Sequence, residues 1–246
     1  MTETVVIKLG GNATEQLTPQ FFDQLARWRA AGVRVLMIHG GGPQINAWSE
    51  RLGLTVHKRG GIRVTDADTL AVTQAVLLGV VQPALCLTLH QHGLPVMGLN
   101  TTDNALLTGT LLDQQLYGAV GKITQVNTTV LNRVLADYVG VLAPLAQTSD
   151  GTMLNVNADM AAVAVARALG ATRLMMVTDV PGVIVNGTTA ATIDPQQASR
   201  WVQQRIITSG MEAKINAAID CVHAGTQVNI TNDVTRPGTM VLSAAM

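Results

Sequence analysis

Apolar residues fall in two rhythms along this chain. Short unbroken runs at Thr4–Leu9, Val33–Ile38, Val96–Leu99, Val139–Ala143, Leu174–Val177 and Gln227–Ile230 suit strands buried on both faces of a parallel sheet. Longer stretches between them carry helical spacing and helix-end signals. Thr18-Pro19 opens a helix through Phe22, Leu25 and Trp28 that stops at Gly32, and Pro43 opens another reaching about Leu52. Thr65–Asp68 caps a third, whose apolar positions run past Gly79 and which Pro83 is expected to break or restart before His90. Thr129–Tyr138, an alanine-rich segment ending at Gly170, Pro195–Gln204 and a segment carrying Lys214 complete the helices. Leu54–Thr65 turns at Gly60-Gly61 and reads as a hairpin; Leu106–Leu112 and Val120–Val126, joined by Asp113–Gly118, read as another. A last short strand is expected at Met240–Leu242. Strands alternating with helices predict a three-layer α/β/α sandwich with an open, mostly parallel central sheet.

Two strands end in glycine, and there the chain acquires chemistry. His39-Gly40-Gly41-Gly42 stops the second strand just before Pro43, so backbone N–H groups meet a helix N-terminus, which suits an oxyanion. Lys8 precedes Gly10-Gly11 at the end of the first strand and points to the crevice beyond the sheet, where it would neutralise phosphate. Tight turns that merely need small residues and a snorkelling edge lysine account for the same letters. Arg63 alternates with Ile62 and Val64 on the hairpin and could offer a fork to a carboxylate, or stand in solvent. Asn155 or Asn157 could cap the alanine-rich helix with Asp159 in its first turn, which leaves one amide unexplained. Lys214 sits in the opening turns of its helix, against the dipole, and asks for an anionic partner.

Composition narrows the partners. Only 13% of the 246 residues are charged and 48% are hydrophobic. The net charge is zero, and no Lys/Arg-rich run offers itself to nucleic acid or to an anionic membrane. Cys86 and Cys221 lie far apart in apolar contexts and read as buried free thiols in a reducing compartment. With no basic segment or apolar core at the N-terminus and no uninterrupted apolar span, a soluble cytoplasmic protein is expected. No Cys/His spacing suggests a zinc site, and neither a Walker sequence nor the protein-kinase motifs occur. Two lysines, two glycine loops, a lid arginine and an acidic residue at a helix start suffice for phosphoryl transfer to a carboxylate, which is already ionised and needs no general base.

In order along the chain stand Lys8–Gly11, His39–Gly42, Arg63–Asp66, Val120–Val126, Asn155–Asp159, Thr178–Gly182 and Gly210–Lys214. Together they resemble the amino-acid kinase superfamily, and within it the N-acetyl-L-glutamate kinases, nearly end to end. The resemblance implies ATP-dependent phosphorylation of the γ-carboxylate of N-acetyl-L-glutamate, in arginine biosynthesis, with Mg²⁺ carried by the nucleotide phosphates. It gives Lys8 and Lys214 the transferring phosphoryl group and Asp159 the two lysines. Gly10, Gly11, Gly41 and Gly42 fall to the loops around the phosphates and substrate, and Arg63 and Asn155 to the acetylated amino acid. Asp179, Val180, Pro181, Gly182, Val183, Ile184, Ile206, Ile207 and Thr208 would border the nucleotide. Residues 1–172 would form the lobe that binds the amino acid and dimerises, and 173–246 the nucleotide lobe. A kinase of another acyl amino acid, such as an aminoadipate derivative, and a catalytically silent regulatory member remain as alternatives; intact Lys8, Asp159 and Lys214 count against the silent one. Asn100–Asn104 departs from the more glycine-rich loop of many relatives. Arginine-inhibited relatives carry an extra N-terminal helix that joins dimers into a hexamer, whereas this chain enters its first strand by Thr4. The uncharged helix from Leu70 to Val81 needs burial, so a homodimer insensitive to arginine is expected.

Overall fold

Every residue of Thr4–Leu9 is buried, which places this strand, β1, inside a sheet covered on both faces. The computed structural model describes residues 2–15, 17–207 and 209–243. After β1 come α1 (Pro19–Ala30), β2 (Arg34–His39), α2 (Gly42–Arg51) and a hairpin of β3 (Lys58–Arg59) and β4 (Ile62–Arg63). Gly60 and Gly61 both have positive φ there, as the tight turn requires. A helical rod follows in three pieces: α3 (Ala67–Val76), a π turn (Leu77–Val81) and α4 (Gln82–Gln91). The chain continues through β5 (Val96–Leu99), β6 (Leu107–Leu111), α5 (Gln114–Tyr117), β7 (Val120–Val126), α6 (Thr128–Asp137), β8 (Val139–Leu142), β9 (Leu145–Gln147) and β10 (Met153–Val156). It closes with α7 (Ala158–Leu169), β11 (Arg173–Val177), β12 (Ile184–Val185), β13 (Thr188–Thr189), β14 (Thr192–Ile193), α8 (Pro195–Gln203), α9 (Ser209–Val222), β15 (Gln227–Thr231) and β16 (Thr239–Val241).

The main sheet has the order β14-β16-β15-β11-β1-β2-β8-β5, and only β15 and β16 pair antiparallel within it. Alternation along β1 and β2 divides the core. Val6, Leu36 and Ile38 pack on one face among residues of α6, α7 and α9, whereas Val5, Ile7, Leu9, Val35 and Met37 pack on the other with α1 and α4. The three-layer expectation holds. A second, small closed sheet of β10-β7-β6-β9 was not foreseen beyond its β6–β7 hairpin, because β9 and β10 are too short to show a period.

Pro83 does not interrupt its helix. In an α-helix it would lack a donor for the carbonyl of Gly79 and its ring would press on that carbonyl. Over Leu77–Val81 the helix switches to π bonding, with the Gln82 N–H donating to Leu77 O, and one rod of 25 residues runs from Ala67 to Gln91. By length and mean hydropathy this rod could cross a membrane. It is seated instead on the domain: Val72, Val76, Leu77, Val81, Leu85 and Leu89 are buried, and Gln82 donates to Leu99 O at 2.7 Å and Val141 O at 2.9 Å. Val80, Pro83, Ala84 and Leu87, spaced along one outer stripe, are exposed. Of the two cysteines, Cys221 is buried and Cys86 only partly so.

Candidate active site

The parity of β1 decides where its lysine goes. Lys8 shares a face with Val6, and that face is covered by α7, whose first turn carries Asp159. Lys8 Nζ lies 2.9 Å from Asp159 Oδ1, and Lys214 Nζ from α9 lies 3.0 Å from Asp159 Oδ2. One carboxylate thus holds two ammonium groups, none of the three side chains being more than 14% exposed. Burial alone would raise the Asp159 pKa, but the charges and hydrogen bonds of Lys8 and Lys214 together outweigh it and keep it below the usual carboxylate value. Burial pushes the Lys8 pKa down, and the like charge of Lys214 adds to that against the pull of Asp159. The anionic partner that Lys214 requires is therefore Asp159.

The glycine turns meet above this triad. Gly40 N–H donates to Leu9 O at 2.8 Å, drawing the β2 loop onto the β1 loop. A Cβ on Gly11 would fall 2.5 Å from Pro43 Cδ and 3.1 Å from the Gly42 nitrogen, so that approach requires glycine, and one on Gly41 would fall 2.6 Å from Leu77 Cδ2, so that Leu77 would have to turn aside. The Gly10 N–H is held by Val177 O at 2.9 Å, which makes Gly10 a splice between β1 and β11. His39 is wholly buried; its Nδ1–H donates to Gly40 O at 3.0 Å, and burial lowers its pKa to about 4, so it stands neutral behind the loop.

A cavity of about 380 Å³ opens beside these loops, bordered by Lys8, Gly11, Gly40–Gly42, Ile45, Asn46, Lys58, Ile62, Arg63, Leu77, Pro144 and Asn155–Ala158. Arg63 is buried, not solvated. Its Nη2 donates to Asn46 Oδ1 at 2.6 Å and to Gly42 O at 3.3 Å, while Nη1 is buried without a hydrogen-bond partner. Burial lowers its pKa from the usual arginine value. The two asparagines have separate tasks. Asn157 caps α7, accepting from the N–H groups of Asp159 and Met160. Asn155 faces the cavity from β10, and its Nδ2 donates to Thr65 Oγ1 at 3.0 Å. Among the residues that border the cavity without having been predicted as part of the site are the polar Asn46 and Lys58; the spacing of Asn46, four after Gly42 on a helix, was the available signal for the first.

The expected nucleotide border lies at the far end of β11. Asp179, Pro181 and Ile184 are exposed, and Val180 and Ile206 are partly so. Gly182 is buried where a Cβ would fall 2.5 Å from Thr239 Oγ1. Val183 and Ile207 belong to the core, and the Val183 N–H and C=O are both engaged, by Thr239 Oγ1 and the Ala190 N–H. These two support the border from behind. Thr208 lies outside the described residues. A cavity of about 240 Å³ adjoins Thr178 and Asp179, closed by Asn232, Asp233 and Arg236.

Residues 3–232 match the family model described as the amino acid kinase family. An acetylglutamate kinase of Lactiplantibacillus plantarum is 49% identical over 243 residues, covering 98% of either chain. One of Leuconostoc citreum is 44% identical, covering 98% of this chain and 99% of its own. The crystal structure of smu.665 from Streptococcus mutans superposes with a TM-score of 0.94 at 36% identity, covering 98% of this chain and 99% of that one. Two lysines on one buried carboxylate beneath paired glycine turns, in a chain matched from end to end by these relatives, mean that it belongs to the amino acid kinase family, among the acetylglutamate kinases.

Proposed function

We propose that the chain transfers the γ-phosphoryl group of ATP to the γ-carboxylate of N-acetyl-L-glutamate. A carboxylate oxygen attacks the γ-phosphorus, the bond to the β–γ bridging oxygen breaks, and ADP leaves as the acyl phosphate forms. The observation that carries this reading is the Lys8–Asp159–Lys214 triad. Its net positive charge lies beneath loops that can offer N–H donors, which is what a transferring phosphoryl group needs. Lys8 and Lys214 stabilise that group, and Asp159 fixes their separation. Gly11, Gly41 and Gly42 border the path of transfer, Arg63 takes the α-carboxylate, and Asn155 takes the acetamido group. The 173–246 half supplies the nucleotide border from Asp179 to Ile184 and at Ile206, and the 1–172 half the amino-acid site. Among the described residues no cluster of three His, Cys, Asp or Glu could hold a metal ion; on this reading Mg²⁺ would arrive on the nucleotide phosphates. When bound, it would supply charge neutralisation to the phosphates beside Lys8 and Lys214.

The exposed apolar stripe of the helical rod favours a homodimer formed on it. The product, an activated N-acylated glutamate, places the protein in amino-acid biosynthesis, with the arginine route as its finer assignment. Trapping with hydroxylamine tests the reaction: N-acetyl-L-glutamate with ATP is expected to give hydroxamate. Product with free glutamate or an N-acetylaminoadipate and none with N-acetyl-L-glutamate would overturn the assignment.

A further inference from the structure

Asn46 and Gly42 stand four residues apart on α2 and therefore share a face of it, and both accept from the same guanidinium nitrogen of Arg63. Arg63 reaches them from a two-residue strand of a hairpin whose other strand is exposed. Such a mount leaves a long side chain many rotamers unless something on a rigid element holds its end. Asn46 does so at 2.6 Å, while Nη1 has no partner of its own and the Arg63 side chain borders the cavity. We propose that Asn46 is a positioning residue: it anchors Nη2 so that the remaining N–H groups of the Arg63 guanidinium are held for a carboxylate of the acyl amino acid. The inference rests on the reading of this cavity as the amino-acid site.

The residue type carries the argument further. An asparagine oxygen anchors the guanidinium without cancelling its charge, whereas an aspartate would anchor it equally well and compete with the substrate for that charge. No ion pair of Arg63 occurs among the described residues, so its charge is reserved for a ligand.

Steady-state kinetics on Asn46→Ala and the nearly isosteric Asn46→Asp, with melting temperatures measured alongside, test this. Asn46→Ala is expected to raise the KM for N-acetyl-L-glutamate roughly 10-fold, the scale of one hydrogen bond to a charged group, with kcat and the KM for ATP within about twofold. Asn46→Asp is expected to raise the same KM further, roughly 10²-fold, while remaining as stable as the parent. Equal rises in both KM values, a lowered melting temperature with unchanged KM, or an Asn46→Asp variant that binds the amino acid as the parent does would each overturn the proposal. If the parent turns over a different acyl amino acid, the functional reading alone fails, and the same split measured on that substrate decides the role of Asn46.

Discussion

Two ammonium groups that would repel one another share a single carboxylate in the candidate active site, and a phosphoryl group in transfer would draw its charge from them. Because that charge is demanded most in the transition state, Lys8→Ala and Lys214→Ala are expected to lower kcat by roughly 10² or more. Arg63→Ala is expected to act on the KM for the amino acid. Initial-rate kinetics check both; similar KM effects in all three with kcat intact would reduce the lysines to ground-state binding. His39 gives a second prediction at this scale. Its folded pKa of about 4 lies below the unfolded 6.5, so the unfolded chain gains a proton first as the medium is acidified. The contribution is present in full above pH 6.5 and lost between 6.5 and about 4, amounting to about 3 kcal/mol. Denaturant titrations across that window should show a shallower loss for His39→Gln than for the parent; parallel curves would refute it.

Among the elements, those that end in unusual backbone are the ones to test. Helix α8 closes with Arg205 at φ 57, its N–H bonded to Val202 O and that of Ile206 to Trp201 O, the geometry of a glycine-type helix stop carrying a long side chain instead. An L-residue there costs about 1 kcal/mol or more, so Arg205→Gly is expected to stabilise the fold by roughly 0.5–1 kcal/mol after glycine's larger unfolded-state entropy is deducted. Thermal unfolding reads this as a rise in Tm, and a fall would mean that the arginine makes a contact worth more than the strain. The loop at Asn100–Asn104 has the same character. Asn104 and Ala105 take positive φ one after the other, a conformation that glycine adopts without strain.

At the scale of the whole molecule, the apolar stripe of Val80, Pro83, Ala84 and Leu87 is the surface on which the proposed homodimer would form. Leu87 alone is 63% exposed. A second copy of the chain laid on that stripe would cover it. Light scattering at micromolar concentration is then expected to give about twice the 25.9 kDa chain mass. Leu87→Glu, which places a charge in that contact, is expected to shift the equilibrium to monomer. A monomeric parent would sink the reading.

The sequence by itself determined the order and type of nearly all the long elements, because buried parallel strands and capped helices write their periods and end signals locally. Thr4–Leu9, Pro19–Ala30 and Val96–Leu99 could be drawn from the letters alone. It also marked Lys214, which opposes its helix dipole, and Lys8 beside the glycine turns, whereas Asp159, at home in the first turn of its helix, was singled out by the family resemblance. What joined them was tertiary. Asp159 meets lysines 151 and 55 positions away because α7 and α9 pack on the sheet face that Lys8 of β1 shares with Val6, a proximity that no local period encodes. The π turn that carries the rod past Pro83 likewise depends on where Leu77 and Gln82 must pack. The split between Asn157 as cap and Asn155 as cavity residue waited on Thr65, and the grip of Asn46 on Arg63 needed a hairpin folded over a helix, for a single hydrogen bond across elements leaves no trace in the order of residues.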